Sequence, residues 1–230
     1  MSRKFFNYHD VKLINDVTNI LYVSSFDKYK NQEKLNHVKE KRDEKLKWRL
    51  CADRRSLKAT TTKKEASSLT ASLASILLTC VIDAYEERDV ATFDIPGAYL
   101  HALMPNGKLV IVKLKGIFVK IMCQINPEYA EYVRYENGKP SIYLLVLRAI
   151  YGCIESALQW YILYKTTLEK KGYILNPYDL CVANKIINDK QCTVAWYMDD
   201  NKASHIDPKV IDNLLEKIRE CFGDIKVTRG

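Results

Sequence analysis

Two adjacent aspartates, Asp199 and Asp200, follow the apolar run Thr193-Val194-Ala195-Trp196 and precede Asn201-Lys202-Ala203-Ser204-His205-Ile206. β-prone segments on both sides of a short polar pair predict a hairpin whose tip carries two carboxylates. Asp is common in tight turns because its side chain bonds the nearby backbone. Taken alone, Tyr197-Met198-Asp199-Asp200 therefore reads more readily as a turn than as chemistry. A carboxylate far upstream shifts that balance. Asp94 ends the short stretch Asp89-Val90-Ala91-Thr92-Phe93, and Pro96-Gly97 breaks any strand directly afterwards. Asp94 is thus expected at a strand end. Carboxylates at a strand end and at a neighbouring hairpin tip suit Mg²⁺, which takes hard oxygen ligands and commonly combines one or two carboxylates with substrate phosphates. Two such ions, about 3.5–4 Å apart, activate an attacking hydroxyl and stabilise a leaving pyrophosphate.

The 230 residues suffice for a sizeable core in one domain or two. With 47% hydrophobic and 28% charged residues the chain is globular rather than disordered. No apolar run approaches a membrane span, and the first ten residues lack a signal peptide's apolar core. Seven scattered cysteines never form a Cys-x-x-Cys pair, which argues against a zinc site or a disulfide framework and for reduced intracellular thiols. The net charge of +8 is unevenly placed. Residues 28–64 hold fourteen Lys/Arg against five Asp/Glu, and the rest is near neutral. Such a block is either a solvated face or the footprint of a phosphate-backbone binder.

Along the chain, residues 1–30 carry no motif, and Lys45 to Asp53 alternates as a half-buried strand does. Ser67 to Arg88 predicts a helix capped by Ser67-Ser68, with Leu69, Leu73, Ile76/Leu77, Cys80 and Ala84 as its core face. Lys108 to Leu114 predicts a strand, and Asn137-Gly138 turns a hairpin within 129–147. Glu155 to Lys171 predicts a helix with Leu158, Tyr161, Tyr164 and Leu168 inward, stopped by Gly172. Strands are expected over 180–187 and 191–198. Asp207-Pro208 opens a last helix with Ile211, Leu214, Leu215, Ile218 and Phe222 inward, and a short strand follows from Asp224 to Thr228. Strand, helix, hairpin, helix, strand from Asp89 onward is a split β-α-β pattern, an α+β fold of antiparallel sheet with helices on one face.

Phe93-Asp94-Ile95-Pro96-Gly97-Ala98-Tyr99-Leu100 resembles the first catalytic motif of reverse transcriptases, and Tyr197-Met198-Asp199-Asp200 resembles their Tyr-x-Asp-Asp motif. Leu147-Arg148-Ala149-Ile150-Tyr151-Gly152 with Gln159-Trp160-Tyr161 is similar to the copia-type retrotransposon pattern. Together they cover roughly residues 35–230. The resemblance implies a polymerase palm over 89–230 with inserted strands at 108–147, and a basic fingers-like segment with its supporting helix over 31–88. Residues 1–30 form an extension without an assigned role, and no residues are left for a thumb.

The resemblance further implies an RNA-directed DNA polymerase using two Mg²⁺ (or Mn²⁺) ions held by Asp94, Asp199 and Asp200. RNA template, DNA primer and a deoxynucleoside triphosphate are its expected partners, and integrase and ribonuclease H segments the expected rest of a polyprotein. Its expected location is intracellular, cytoplasmic in particles or nuclear. Lys47 and Arg49 become candidates for the triphosphate, where an Arg fork donates parallel hydrogen bonds to phosphate oxygens. Gly97 and Ala98 offer backbone amides to it. Tyr99 stands where the family crowds the sugar 2′ position, and Tyr151-Gly152 begins the motif beneath the incoming nucleotide. Gln159-Trp160 is expected to be packing. Glu155-Ser156-Ala157-Leu158 departs from the copia pattern's Gln-Ala-Pro-Arg. The alternatives are a catalytically inactive remnant that binds nucleic acid, and another metal-dependent phosphotransferase on a similar sheet.

Overall fold

The computed structural model describes residues 20–25, 50–53, 69–105 and 110–230. In chain order they form β1 (Ile20–Ser25), β2 (Leu50–Asp53), α1 (Leu73–Tyr85), β3 (Asp89–Asp94) and the single turn α2 (Ala98–His101). Next come β4 (Ile111–Lys115), α3 (Ile117–Ile125), a 3₁₀ segment (Pro127–Tyr132), β5 (Arg134–Glu136) and β6 (Lys139–Leu145). The chain continues through α4 (Ser156–Lys170), β7 (Ile174–Leu175), β8 (Val182–Ile187) and β9 (Lys190–Tyr197). It closes with β10 (Asp200–His205), α5 (Pro208–Phe222) and β11 (Lys226–Arg229). The class is α+β. No helix among the described residues is long and apolar enough to cross a membrane.

These elements group into two compact units. The first contains a five-stranded sheet ordered β2-β1-β4-β6-β5, antiparallel except where β1 runs parallel to β4. Asn137 and Gly138, at φ of 48° and 73°, form the two-residue loop between β5 and β6. Positive φ at both positions is the type I′ requirement, which Asn-Gly meets at little cost. The stretch expected to hold only inserted strands also carries α3 and the 3₁₀ segment. Asn126 starts the latter by accepting the Glu128 N–H on its side chain at 3.2 Å.

The second unit is built on a six-stranded antiparallel sheet ordered β11-β3-β10-β9-β8-β7. Alternation along its strands divides the side chains between two faces. Ala91, Phe93, Val194, Trp196 and Ala203 meet Trp160, Tyr161, Tyr164 and Leu168 of α4 and Ile211, Leu214, Leu215, Ile218 and Phe222 of α5. The expected inward residues of α5 are all buried. Asp207 caps that helix by accepting the Lys209 N–H at 3.0 Å, with Pro208 in the first turn.

The opposite face carries Thr92, Asp94, Asp200, Lys202 and Thr193, and here α1 corrects two expectations. Its cap is Ser72, whose hydroxyl accepts the Ser75 N–H at 3.1 Å, rather than Ser67-Ser68, which lie outside the described residues. Its buried residues are Thr79 and Asp83; of the expected core face Ile76 packs partly buried against the core, while Leu73, Leu77, Cys80 and Ala84 are exposed. The cause is Lys202, whose ammonium reaches Asp83 at 2.5 Å and Thr79 at 2.8 Å. Arg88 adds a bond to Thr193 at 3.1 Å. The buried carboxylate of Asp83, left unpaired, costs more than an apolar stripe left in water, so the polar strip of α1 turns to the half-buried Lys202 on the sheet. Helices therefore lie on both faces of this sheet, not on one.

Candidate active site

The sheet brings the distant aspartates to one end of two neighbouring strands. β3 and β10 pair antiparallel with Asp94 directly opposite Asp200. Residues directly opposite in such a pair point to the same face, with Cβ atoms about 4.5–5.5 Å apart. Asp199 is tied to the same place through its backbone, because its carbonyl accepts the Ile95 N–H at 3.2 Å. Asp94 and Asp199 are half-buried and Asp200 is exposed. The hairpin tip is the two-residue loop Met198-Asp199 between the paired Tyr197 and Asp200.

Met198 occupies the left-handed region at φ 58°. A positive φ at the first loop residue and not at the second, Asp199, marks the type II′ turn, which favours Gly at the first position. For a side chain as long as Met such strain costs of the order of 1–3 kcal/mol and persists only where neighbours over-determine it. Three neighbours do so. The indole N–H of Trp160, on α4, donates to the Met198 carbonyl at 2.7 Å. The Asn201 side-chain amide donates to the Asp199 carbonyl at 2.7 Å and to the Phe93 carbonyl at 3.3 Å, bridging the two aspartate-bearing strands. The Tyr99 hydroxyl lies 3.6 Å from the Met198 sulfur.

Trp160 and Asn201 are the positioning residues that sequence reading missed. Trp160 is 2% exposed and packs against Tyr164 and Phe222 at ring-centroid distances of 5.3 Å, so packing is only half of its role. A buried indole needs an acceptor, and that requirement is the signal a sequence offers. Asn201 is a polar residue in phase with the core residue Ala203, a mismatch that points to a buried hydrogen-bonding task.

Three carboxylates share this end of the sheet, and none forms an ion pair with another described residue. The Asp200 carboxyl is pushed above its usual range, first by partial burial and then by the negative charges of Asp199 and Asp94. Lys226 of β11 stands opposite Asp94 on its other side without pairing to it. Among the described residues no three His, Cys, Asp or Glu side chains are closed into a cluster able to hold a metal ion. The donor chemistry nevertheless fits a hard divalent cation: two carboxylates opposite in register, a third one residue away, and a charge repulsion that a cation relieves.

Gly97 takes φ 67° at the start of α2, a backbone conformation that a Cβ strains. Ala98 is buried and Tyr99 half-buried beside it, so the candidate residues 97–99 follow Asp94 within the same unit. Tyr151 and Gly152 lie in a turn of the first unit, with Gly152 at φ 94°. Lys47 and Arg49 lie outside the described residues. Compared with models of known protein families the chain matches none, and no curated protein matches it either.

Proposed function

We propose that this chain is the fingers-palm portion of a copia-type RNA-directed DNA polymerase, with its palm on the six-stranded sheet. The observation that carries the proposal is the pairing of Asp94 opposite Asp200, with Asp199 bonded through its carbonyl to the residue after Asp94. Motifs more than a hundred residues apart are thereby juxtaposed, and the resemblance in their sequences predicts that juxtaposition.

The reaction is attack of a primer 3′-hydroxyl on the α-phosphorus of a deoxynucleoside triphosphate, with pyrophosphate leaving. Phosphoryl transfer depends mainly on positioning and charge neutralisation. Asp94 and Asp199 are the first ligands for a pair of Mg²⁺ or Mn²⁺ ions, and Asp200 is the third carboxylate. When bound, the ions supply activation of the hydroxyl and charge neutralisation on the phosphates. Trp160 and Asn201 keep the carboxylate-bearing turn in register before substrate arrives, so that little reorganisation is left for the transfer itself. Tyr99, held against Met198, is the steric limit on the sugar 2′ position. Gly97 and Ala98 offer the triphosphate backbone amides. RNA template and DNA primer are the partners, inside the cell.

Primer extension on an RNA template with Mg²⁺ or Mn²⁺ tests this. The wild-type chain is expected to incorporate deoxynucleotides, and Asp199→Asn to lose at least about a hundredfold in rate, in line with removing one preorganised electrostatic contact. Equal incorporation by both proteins overturns the assignment.

A further inference from the structure

The second unit has a concavity of about 460 Å³ at the end of the sheet away from the aspartates, lined by Lys171, Lys185, Lys209 and Lys217. It opens beside the β8–β9 turn, so the length of β9, about 23 Å at strand rise, separates it from the Asp199 turn. Among the described residues the one carboxylate in its lining is Asp207, which caps α5. None of the four lysines forms an ion pair with another described residue.

Lys209 and Lys217 are exposed at the rim, and the fold fixes Lys185 at the wall. Lys185 is half-buried and donates to the Lys171 carbonyl at 2.7 Å, which fixes its ammonium at the C-terminal end of α4. A Cβ on Gly172 would meet that ammonium at 3.3 Å, so the missing side chain is the space Lys185 occupies. The Tyr173 ring lies 5.8 Å away beneath the charge. His205, 1% exposed, accepts the Asp207 N–H at 2.9 Å and reaches the Ile187 carbonyl at 3.3 Å, joining the α5 wall to the β8 wall. The mouth also lies at the N-terminal end of the fifteen-residue α5, whose dipole favours negative charge there.

We infer that this pocket is a binding site for a compact oligophosphate, separate from the proposed polymerase centre and independent of whether the chain polymerises. Four lysines against the single lining carboxylate Asp207 leave an excess of positive charge that an anion of several charges satisfies. A concavity of this size accommodates two or three linked phosphates, free or as the tail of a nucleotide. Lysine meets them as a point charge with three donors, one of which Lys185 already spends on the Lys171 carbonyl.

Isothermal titration of the whole chain with inorganic tripolyphosphate, in EDTA so that no divalent cation bridges phosphate to the aspartates, tests the site. Wild type is expected to bind saturably at one site, and Lys185→Gln and Lys217→Gln to weaken binding by about tenfold or more each. Asp199→Asn is expected to bind as wild type does, which separates this outcome from any result on polymerisation. ATP that competes assigns the ligand to nucleotide tails, and ATP that does not compete assigns it to free oligophosphate. Absence of saturable binding, or equal affinity in wild type and both lysine variants, overturns the site. So does binding of a single-stranded oligonucleotide through these lysines when tripolyphosphate does not bind.

Discussion

At the scale of single residues, the site depends on a strained turn held by side chains that carry no charge. Met198 sits in a conformation suited to Gly, and the Trp160 indole and the Asn201 amide secure the Met198 and Asp199 carbonyls, one in each peptide link flanking Asp199. Trp160→Phe keeps most of the ring packing and removes only the N–H. Leaving the Met198 carbonyl without its donor is expected to cost about 1–2 kcal/mol, measured by urea unfolding. The amides of 198–200 should also exchange with solvent faster, by hydrogen exchange, while those of α5 stay protected. Unchanged exchange at the tip means the indole is packing alone. Asp94, Asp199 and Asp200 were legible in the sequence because carboxylates beside breakers and turns stand out. Trp160 and Asn201 were not, since a hydrogen bond from a helix to a hairpin tip has no local pattern.

At the scale of elements, β9, β10 and α5 follow their patterns, and α1 does not. Periodicity locates α1 but assigns it the wrong face, because apolar spacing carries no information about a lysine on the sheet beneath. Lys202 and Asp83 are 119 positions apart, and their pairing decides which side turns inward. The start of α1 is fastened by another distant acid. The Asp179 carboxylate accepts the Ser72 N–H at 2.8 Å and the Cys181 N–H at 3.0 Å. Partial burial pulls its pKa up, but hydrogen bonds from Ser75, Ser72 and Cys181 outweigh that and hold it below the usual carboxylate range. A depressed folded pKa gives stability that is present above the unfolded value and lost as pH falls through the folded one. Asp179→Ala is therefore expected to lower stability at neutral pH by about 1 kcal/mol. It should also flatten the wild type's loss of stability below about pH 4, where free carboxylates protonate. Thermal melts between pH 2.5 and 7 check both, and parallel pH profiles for the two proteins count against the anchor.

At the scale of the whole molecule, fold class and the antiparallel sheet that gathers the aspartates were readable from strand and helix order. The parallel pairing of β1 with β4 was not, because such contacts join segments about ninety positions apart and each strand alone reads only as a short apolar run. α3 escaped notice because its apolar residues adjoin the β4 run, where short helix and buried strand share a pattern. Lys202 on the aspartate face is committed to Asp83 and forms no ion pair with the three carboxylates. Partial burial and then repulsion from Asp199 and Asp94 raise the Asp200 pKa, and a proton or a cation relieves that repulsion. Cation binding should accordingly weaken as pH falls through that raised pKa, because proton and metal compete for the same oxygens.

Manganese titration of the chain, followed by loss of the free-ion electron paramagnetic resonance signal, measures that binding without requiring turnover. Saturable binding at neutral pH is expected, weakening as pH falls and dropping at least about tenfold in Asp94→Asn and in Asp199→Asn. Manganese held as tightly by Asp94→Asn as by the wild type contradicts a shared carboxylate site.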